Sequence, residues 1–326
     1  MNIKNKIDLH LHIDGSARPE TVYELAKKYN IEPDCNMTLE EVRASMMIPD
    51  GEYDPDFLTF NPPLRAMQNE EGLYRITKEL VERLDEEGLI YAELRFAPQY
   101  HLEQGMSQED AVKAVIKGMN DGLANCKMLQ AGLILCTMNH CDPTDNREAN
   151  LETVHLAKKY LSKGVCAMDM AGYEEQMEGF AELFVLGKEL GIPVTTHSEF
   201  TVGEALKYGT TRIGHGYQAA LFPELTEEVI AKGVTLEMCP DSSLSYEYGL
   251  TGDETHPLYV LYKKGARVTV NTDNLTVLDT DLEKEYELCR KMGFTNEDII
   301  KMNNYAIEAS FADDATKNRL LAVQPL

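Results

Sequence analysis

The chain has 326 residues, of which 43% are hydrophobic and 26% are charged, so it holds ample material for a hydrophobic core. Its length fits two domains of ordinary size or one large α/β barrel. Lys and Arg number 31 and Asp and Glu number 55, which gives a formal net charge of −24. A surface this negative repels phosphate backbones and anionic lipid. We therefore expect neither nucleic acid polymers nor membranes as partners, whereas a small neutral ligand or a bound cation is compatible with the charge.

The first residues, MNIKNKIDLH, lack the apolar stretch of a signal peptide. No apolar run approaches the length of a membrane span. The 7 cysteines are scattered and include no Cys-x-x-Cys pair, which is typical of reduced thiols that pack as small hydrophobes. These features predict a cytoplasmic protein.

Along the chain, β-rich apolar runs alternate with amphipathic helical patterns. The predicted strands are Lys6–His12, Leu89–Ala97, Gly132–His140, Val165–Ala171, Pro193–Glu199, Thr211–His215, Val234–Cys239 and Arg267–Asp273. The clearest predicted helices are Glu71–Glu87, Gln108–Leu129, Glu148–Leu161, Phe180–Leu190, Pro223–Lys232 and Asp281–Met292. Eight strands in this alternation predict a single (β/α)₈ TIM barrel over residues 1–326. An open doubly wound sheet is the rival fold, but no Gly-x-Gly-x-x-Gly follows the first strand.

The connection between the first two predicted strands, residues 13–87, is unusually long. It contains two further helical patterns, Pro19–Tyr29 and Thr38–Met47, and then the segment Asp54–Leu64, which is rich in Pro and Phe. A long connection at the carboxyl end of a barrel is where a lid over an active site would lie. A plain surface excursion would have the same length.

Ionisable side chains end four of the predicted strands, at the barrel face that carries active sites. They are His10, His12, His197, Glu199, His215 and Asp273. Burying so many ionisable groups together is costly unless they are paired or bind a metal ion. Because the set offers imidazole and carboxylate but no thiolate, it favours a catalytic Zn²⁺ with an open position for water.

The first strand places His10 and His12 two residues apart, so both rings project from the same face. Two imidazoles in that arrangement can hold one cation. No lysine follows the fourth strand, which ends in Asp169–Gly172. A carboxylated lysine for a second metal ion is therefore not indicated, and we expect one metal ion per chain. The other histidines fall outside this pattern, and we expect no direct chemistry from them: His101, His140, His155 and His256.

Seven motifs, in the same order, resemble those of the adenosine/adenine deaminases of the metal-dependent amidohydrolase superfamily. They are KIDLHLHIDGSARPETV (Lys6–Val22), IYAELRFAPQ (Ile90–Gln99), MDMAG (Met168–Gly172), TTHSE (Thr195–Glu199), RIGHG (Arg212–Gly216), EMCPDSSL (Glu237–Leu244) and VTVNTDN (Val268–Asn274). The resemblance runs nearly end to end and implies a TIM barrel with one catalytic Zn²⁺. Asp14 resembles the adenosine branch, since the adenine branch tends to carry Glu there.

The resemblance implies a role for each matching residue. Glu199 would protonate purine N1, and His215 would orient the hydroxide that attacks C6. The metal ligands would be His10, His12, His197 and Asp273. General acid catalysis of this kind contributes roughly 10²- to 10⁴-fold to a rate. A carboxyl group that protonates a base must itself carry a proton, which burial favours.

The resemblance also implies four substrate contacts. His12 would lie against the substrate as well as the metal ion. The backbone N–H of Gly172 would bind purine N3, Asn274 would bind N7, and Asp14 would hold the ribose. The substrate implied is therefore a purine nucleoside.

Several positions depart from the family pattern. The usual His-Ala-Gly-Glu is replaced by His197–Phe200 (HSEF), which brings the acid one residue closer to the histidine. The lid segment Asp56–Phe60 is one residue tighter, and Tyr173 stands where the family often has Asp. Asn274 replaces the second Asp of the common Thr-Asp-Asp, and its amide can donate to an unprotonated N7.

Three functions fit these observations. The main hypothesis is a zinc-dependent deaminase that converts adenosine to inosine and ammonia, with 2′-deoxyadenosine as a second candidate substrate. The second is an aminohydrolase for another 6-aminopurine or a modified adenosine, which the shifted Glu199 and the shorter lid would accompany. The third is a purine-binding pseudoenzyme, which requires that Glu199 cannot reach N1.

Overall fold

The computed structural model describes residues 3–49, 52–139, 142, 144–245 and 250–324. Within these ranges a strand forms at each of the eight predicted positions. They are β1 (Lys6–His12), β2 (Leu89–Phe96), β3 (Gln130–Met138), β4 (Val165–Ala171), β5 (His197–Ser198), β6 (Arg212–His215), β7 (Thr235–Met238) and β8 (Arg267–Val270). The predicted end of the third strand, His140, lies outside the described residues.

All strand pairs are parallel, in two four-stranded sheets of order β1-β2-β3-β4 and β5-β6-β7-β8. Isolated parallel bridges join the two sheets at both seams, Leu11 with Asp273 and Met168 with Val194. Both seams therefore rest on single bridges rather than full ladders. The predicted (β/α)₈ barrel is confirmed.

The helices surround the strands. They are α1 (Pro19–Tyr29), α2 (Leu39–Ser45), α3 (Asn61–Ala66), α4 (Glu70–Glu86), α5 (Gln108–Leu123), α6 (Arg147–Tyr160), α7 (Ala181–Glu189), α8 (Val202–Tyr208), α9 (Gln218–Leu221), α10 (Pro223–Lys232), α11 (Pro240–Leu244), α12 (Pro257–Lys264), α13 (Leu282–Lys291), α14 (Asn296–Ala309) and α15 (Asp314–Val323). Among the residues described, no helix combines the length and apolar character that crossing a membrane requires.

Helix α4 illustrates how the pattern produces the fold. Asn69 caps its first turn by accepting a hydrogen bond from the Gly72 N–H. Its buried apolar side chains recur at helical spacing, with Leu73, Ile76 and Leu80 on one face. That face packs against α5 and β2. Predicted bounds and observed bounds differ here by one residue at each end.

The long first connection contains α1, α2, α3 and two short 3₁₀ turns before α4 begins. The middle of this connection is tied to the loop after β8, because the Ile48 N–H donates to the Val277 carbonyl at 2.8 Å. That loop is in turn held by the loop after β1, where the Gly15 carbonyl accepts from the N–H groups of Thr276 and Val277. The connection therefore lies at the carboxyl end of the barrel strands.

Candidate active site

Histidine nitrogens and one carboxylate oxygen converge at the carboxyl end of the barrel. The Nε2 atoms of His10 and His12 each lie 3.1 Å from Nε2 of His197. Asp273 Oδ1 lies 3.5 Å from His10 Nε2 and 3.4 Å from His12 Nε2. Strands β1 and β5 and the residue run after β8 thus bring together four side chains that are far apart in the sequence.

His215, at the end of β6, joins the same cluster. Its ring centroid lies 4.8 Å from that of His10. One donor atom from each of His10, His197, His215 and Asp273 falls within 4.8 Å of the others. Five side chains therefore offer donor atoms to the same place. The predicted ligand set, which contains His12 rather than His215, stays a prediction.

A carboxylate lies beside the second ring nitrogen of both His10 and His197. His10 Nδ1 lies 2.9 Å from Glu237 Oε2, and His197 Nδ1 lies 3.0 Å from Asp169 Oδ2. The Glu237 carboxylate accepts the Nδ1 proton of His10, so Nε2 of that ring directs a lone pair into the cluster. Although burial alone would lower it, the pKa of His197 is raised by the neighbouring Asp169 carboxylate. Converging lone pairs repel one another unless a cation lies between them. The nitrogen and oxygen donor set fits a divalent metal ion of the zinc type.

The carboxylate of Asp273 is oriented by α11, the short helix that follows β7. Ser242 Oγ, in α11, donates to Asp273 Oδ2 at 2.7 Å and leaves Oδ1 facing the histidines. Burial lowers the pKa of His10, His12 and His215 well below the usual range. The three rings are therefore neutral, which is the form that binds metal.

Two residues of the cluster have strained backbones. His215 has φ 63° and Asp273 has φ 61°, in the left-handed region that residues with a Cβ rarely adopt. Asp273 is held there by the seam of the barrel, since its N–H donates to the His10 carbonyl and its own carbonyl accepts from the His12 N–H, both at 2.8 Å. Such strain persists where the surrounding structure enforces it, and it concentrates at functional sites.

The position of Glu199 beside the cluster does not follow from the alternation of side chains along a strand. Strand β5 ends at Ser198, so Glu199 lies in a bend beyond it. Hydrogen bonds from Gly216 N–H to the Ser198 carbonyl and from Gln218 N–H to the Glu199 carbonyl fix this bend. The Glu199 side chain is 17% exposed, and its Oε1 lies 3.8 Å from His215 Nε2. The carboxylate therefore faces His215 despite the shortened motif.

The predicted substrate-binding residues occupy the same end of the barrel. Asp14 is buried, which raises its pKa to about 6, and its Oδ1 accepts from the Gly15 N–H at 2.9 Å. Gly172 follows β4 with φ 115° and is exposed. Asn274 is buried, and its Oδ1 has no hydrogen-bond partner among the described residues. A Cβ on Gly15 would lie 1.8 Å from that atom, so glycine is needed there.

A buried network of charged side chains lies below the cluster. These residues were not identified from the sequence. Arg95 donates to Asp169 at 2.9 Å and to Glu237 at 2.8 Å. Glu237 also accepts from Thr195 at 2.7 Å and from Arg212 at 2.6 Å. Although burial alone would raise it, the pKa of Glu237 is held well below its usual range by Arg212 and Arg95.

A signal for this network exists in the sequence. Glu93 and Arg95 alternate in an otherwise apolar strand, and Asp169, Arg212 and Glu237 each interrupt another apolar strand. A charged residue inside a barrel strand must find its partner across the barrel interior. This network joins His10 and His197 through their carboxylate partners.

The other histidines described by the structure have different surroundings. His155 is exposed on α6, and His101 is buried with its ring 5.7 Å from that of Phe96. His256 Nε2 lies 2.7 Å from Ser243 Oγ. His140 lies outside the described residues.

Comparison with known proteins gives a consistent result. The sequence model of the family "Adenosine deaminase" matches residues 5–323. The chain is 38% identical to the adenosine deaminase of Haemophilus ducreyi, over 97% of this chain and 94% of that protein. It is 36% identical to the adenosine deaminase of Clostridium perfringens, over 98% of both chains. The solved structure of Arabidopsis ADAL complexed with GMP is similar with a TM-score of 0.85 and 25% identity, over 98% of this chain and 96% of that chain. The chain therefore belongs to the adenosine deaminase family and is an aminohydrolase.

Proposed function

We propose that this protein hydrolyses adenosine to inosine and ammonia, with 2′-deoxyadenosine as a second substrate. The observation that carries the proposal is the convergence of His10, His12, His197 and Asp273 beside a Glu199 carboxylate that lies 3.8 Å from His215. Full-length relatives that bear the name adenosine deaminase support the same activity.

We propose that one Zn²⁺ per chain is held by His10, His12, His197 and Asp273. Glu237 and Asp169 lie against the Nδ1 atoms of His10 and His197, which leaves the Nε2 atoms of these rings for the metal ion. This donor set contains nitrogen and oxygen but no sulfur, which supports a catalytic zinc ion. When bound, the metal ion supplies the Lewis acidity that lets water act as a nucleophile at neutral pH.

The reaction adds water at C6 of the purine, forms the C6–O bond and breaks the bond from C6 to the exocyclic nitrogen, which leaves as ammonia. Attack at C6 moves electron density onto N1. We assign Glu199 as the acid that protonates N1 and His215 as the group that orients the attacking water. The 3.8 Å separation of their side chains supports a shared reaction centre.

Three further groups are assigned to the substrate. The Gly172 N–H would bind N3, and the Nδ2–H group of Asn274 would donate to N7. Asp14 would accept a hydrogen bond from the ribose. The acidic chain and this carboxylate favour a nucleoside over a nucleotide, because a 5′-phosphate would be repelled.

The activity is tested directly with purified, zinc-loaded protein and adenosine. We expect loss of the adenosine absorbance, formation of inosine in chromatography, loss of activity after chelation and recovery on adding Zn²⁺. A panel of adenine, AMP and N6-methyladenosine tests the second hypothesis. Folded, zinc-loaded protein that leaves adenosine unchanged would contradict the proposal.

Removing the Asp14 carboxylate is expected to weaken binding more than chemistry. Asp14→Ala should raise KM for adenosine more than it lowers kcat, because a ribose contact is made equally in the ground state and the transition state. Steady-state kinetics measures both constants. An effect confined to kcat would place Asp14 in the chemical step instead.

Two histidine variants distinguish the two possible ligand sets. His12→Ala should lose bound zinc, whereas His215→Ala should retain it and lose activity. Asp273→Ala should also lose zinc, and the exposed Asp279→Ala serves as its matched control. Zinc content is measured by mass spectrometry of the metal after dialysis. Zinc retained in His12→Ala and lost in His215→Ala would replace His12 with His215 in the ligand set.

A further inference from the structure

Tyr217 follows the catalytic histidine by two residues and turns back onto it. His215 and Gly216 both have positive φ angles, 63° and 78°. This turn brings the Tyr217 hydroxyl to 3.2 Å from His215 Nδ1. The same hydroxyl lies 3.2 Å from the carbonyl oxygen of Cys239, the residue before α11. Tyr217 is only 1% exposed, so these contacts are shielded from water.

The two contacts fix where the protons lie. A carbonyl oxygen only accepts hydrogen bonds, so the single hydroxyl proton of Tyr217 is donated to Cys239. The hydroxyl oxygen can then accept from His215, which requires the imidazole proton to be on Nδ1. If Tyr217 donated to Nδ1 instead, two oxygen acceptors would face each other at 3.2 Å without a proton between them. The arrangement with Nδ1–H makes both contacts hydrogen bonds.

The opposite ring nitrogen of His215 faces the reaction centre. With the proton on Nδ1, Nε2 carries a lone pair, and Nε2 is the atom that lies 3.8 Å from Glu199 Oε1. An Nε2 lone pair can accept a hydrogen bond from the attacking water, whereas an Nε2–H group could not. The tautomer of His215 therefore decides whether this side chain can orient the nucleophile.

The tyrosine itself is held by the element that orients Asp273. Its ring makes an edge contact with His256 at 6.3 Å between centroids, and His256 Nε2 lies 2.7 Å from Ser243 Oγ in α11. The adjacent Ser242 donates to Asp273. Helix α11 and the residue before it thus set the geometry of both His215 and Asp273.

We propose that Tyr217 is a positioning residue that keeps the His215 proton on Nδ1 and so presents Nε2 as the acceptor for the attacking water. The proposal deepens the function proposed above and rests on it for the role of the water. It makes Tyr217 a determinant of the chemical step without contact to the substrate.

The test is Tyr217→Phe in the zinc-loaded, full-length protein. The variant keeps the ring and removes the hydroxyl. We expect kcat to fall by about 10- to 100-fold, as is typical when a partner that orients a catalytic group is lost. KM, zinc content and the circular dichroism spectrum should stay unchanged. Tyr262→Phe, which loses a 2.6 Å hydrogen bond to Asp298 far from the site, should retain the wild-type kcat.

A spectroscopic measurement reports the tautomer independently of activity. In protein labelled with ¹⁵N-histidine, the His215 ring should show a protonated Nδ1 and an unprotonated Nε2, with the signals assigned by their loss in His215→Gln. Tyr217→Phe should shift this ring toward the other tautomer. Unchanged ring signals with wild-type kcat would overturn the proposal, and so would a fall in kcat that comes with lost zinc. If wild-type protein does not deaminate adenosine, the proposed function fails, while the ring signals still decide the tautomer.

Discussion

Replacing Glu199 with glutamine is expected to lower kcat for adenosine by about 10²- to 10⁴-fold, the usual contribution of a general acid. Glutamine has the same size as glutamate, but its amide does not give up a proton to purine N1. The carboxylate lies in a bend 3.8 Å from His215 Nε2 and is not one of the proposed metal ligands, so zinc binding should persist. Activity should therefore be lost without loss of metal.

The measurement compares kcat and zinc content in Glu199→Gln with those in Glu204→Gln. Glu204 lies five residues further on in α8 and is 40% exposed, so its amide variant should behave like the wild type. Full activity in Glu199→Gln would show that the shortened His197–Glu199 motif does not carry the acid. A wild-type protein that binds the purine without turnover would instead support the pseudoenzyme hypothesis.

The main features of the fold were predictable because they depend on local pattern. Strand β1 shows this well, since its predicted bounds, Lys6–His12, are those of the structure. Strand β5 was predicted over seven residues but spans His197–Ser198, because Val194 contributes only a single bridge to β4. Apolar runs reveal where a strand lies in the chain, while the extent of its ladder depends on the register of its neighbours.

Two C-terminal helices were not predicted, for different reasons. Helix α14 has a capping box between Thr295 and Asp298 and buried apolar residues such as Ile299 and Met302. Those signals were readable in the sequence. Helix α15 has a weak apolar pattern, and its burial depends on packing against α14. Only the first of the two could have been predicted from periodicity.

The convergence of the candidate residues was predictable, but their detailed geometry was not. Strand-end position selected His10, His197 and Asp273, since parallel strands of a barrel end at one face. The direction of the Glu199 carboxylate depends on a bend that is held by β6 and the residues after it, and pleat alternation does not reach that far. The pairing of Arg95 with Asp169 and Glu237 likewise depends on which strands face each other across the barrel.

The buried charge network explains how the cluster is kept in place. Asp169 and Glu237 each contact one histidine of the cluster and one end of the Arg95 guanidinium. A single arginine thus links the partners of His10 and His197. Two carboxylates without that cation would repel each other in a medium of low dielectric constant. The stability of the barrel interior and the orientation of the histidines depend on the same side chain.

Replacing Arg95 with methionine is consequently expected to lower the free energy of unfolding by about 3–5 kcal/mol, the usual cost of removing one partner from a buried ion pair. Methionine fills most of the volume, so the loss reflects the Asp169 carboxylate, which loses its arginine, and the Glu237 carboxylate, which keeps only Arg212, rather than a cavity. The matched control is Arg147→Met, which breaks an exposed pair with Glu182 and should leave the free energy of unfolding nearly unchanged, because solvent screens exposed ion pairs. Thermal and urea unfolding of the zinc-loaded proteins measure both changes, and Arg95→Lys should fall between them because lysine keeps the charge but loses the bidentate fork. Equal stability of Arg95→Met and Arg147→Met would mean that the carboxylates are neutralised by another group, and the link from Arg95 to the histidines would then carry no energetic weight.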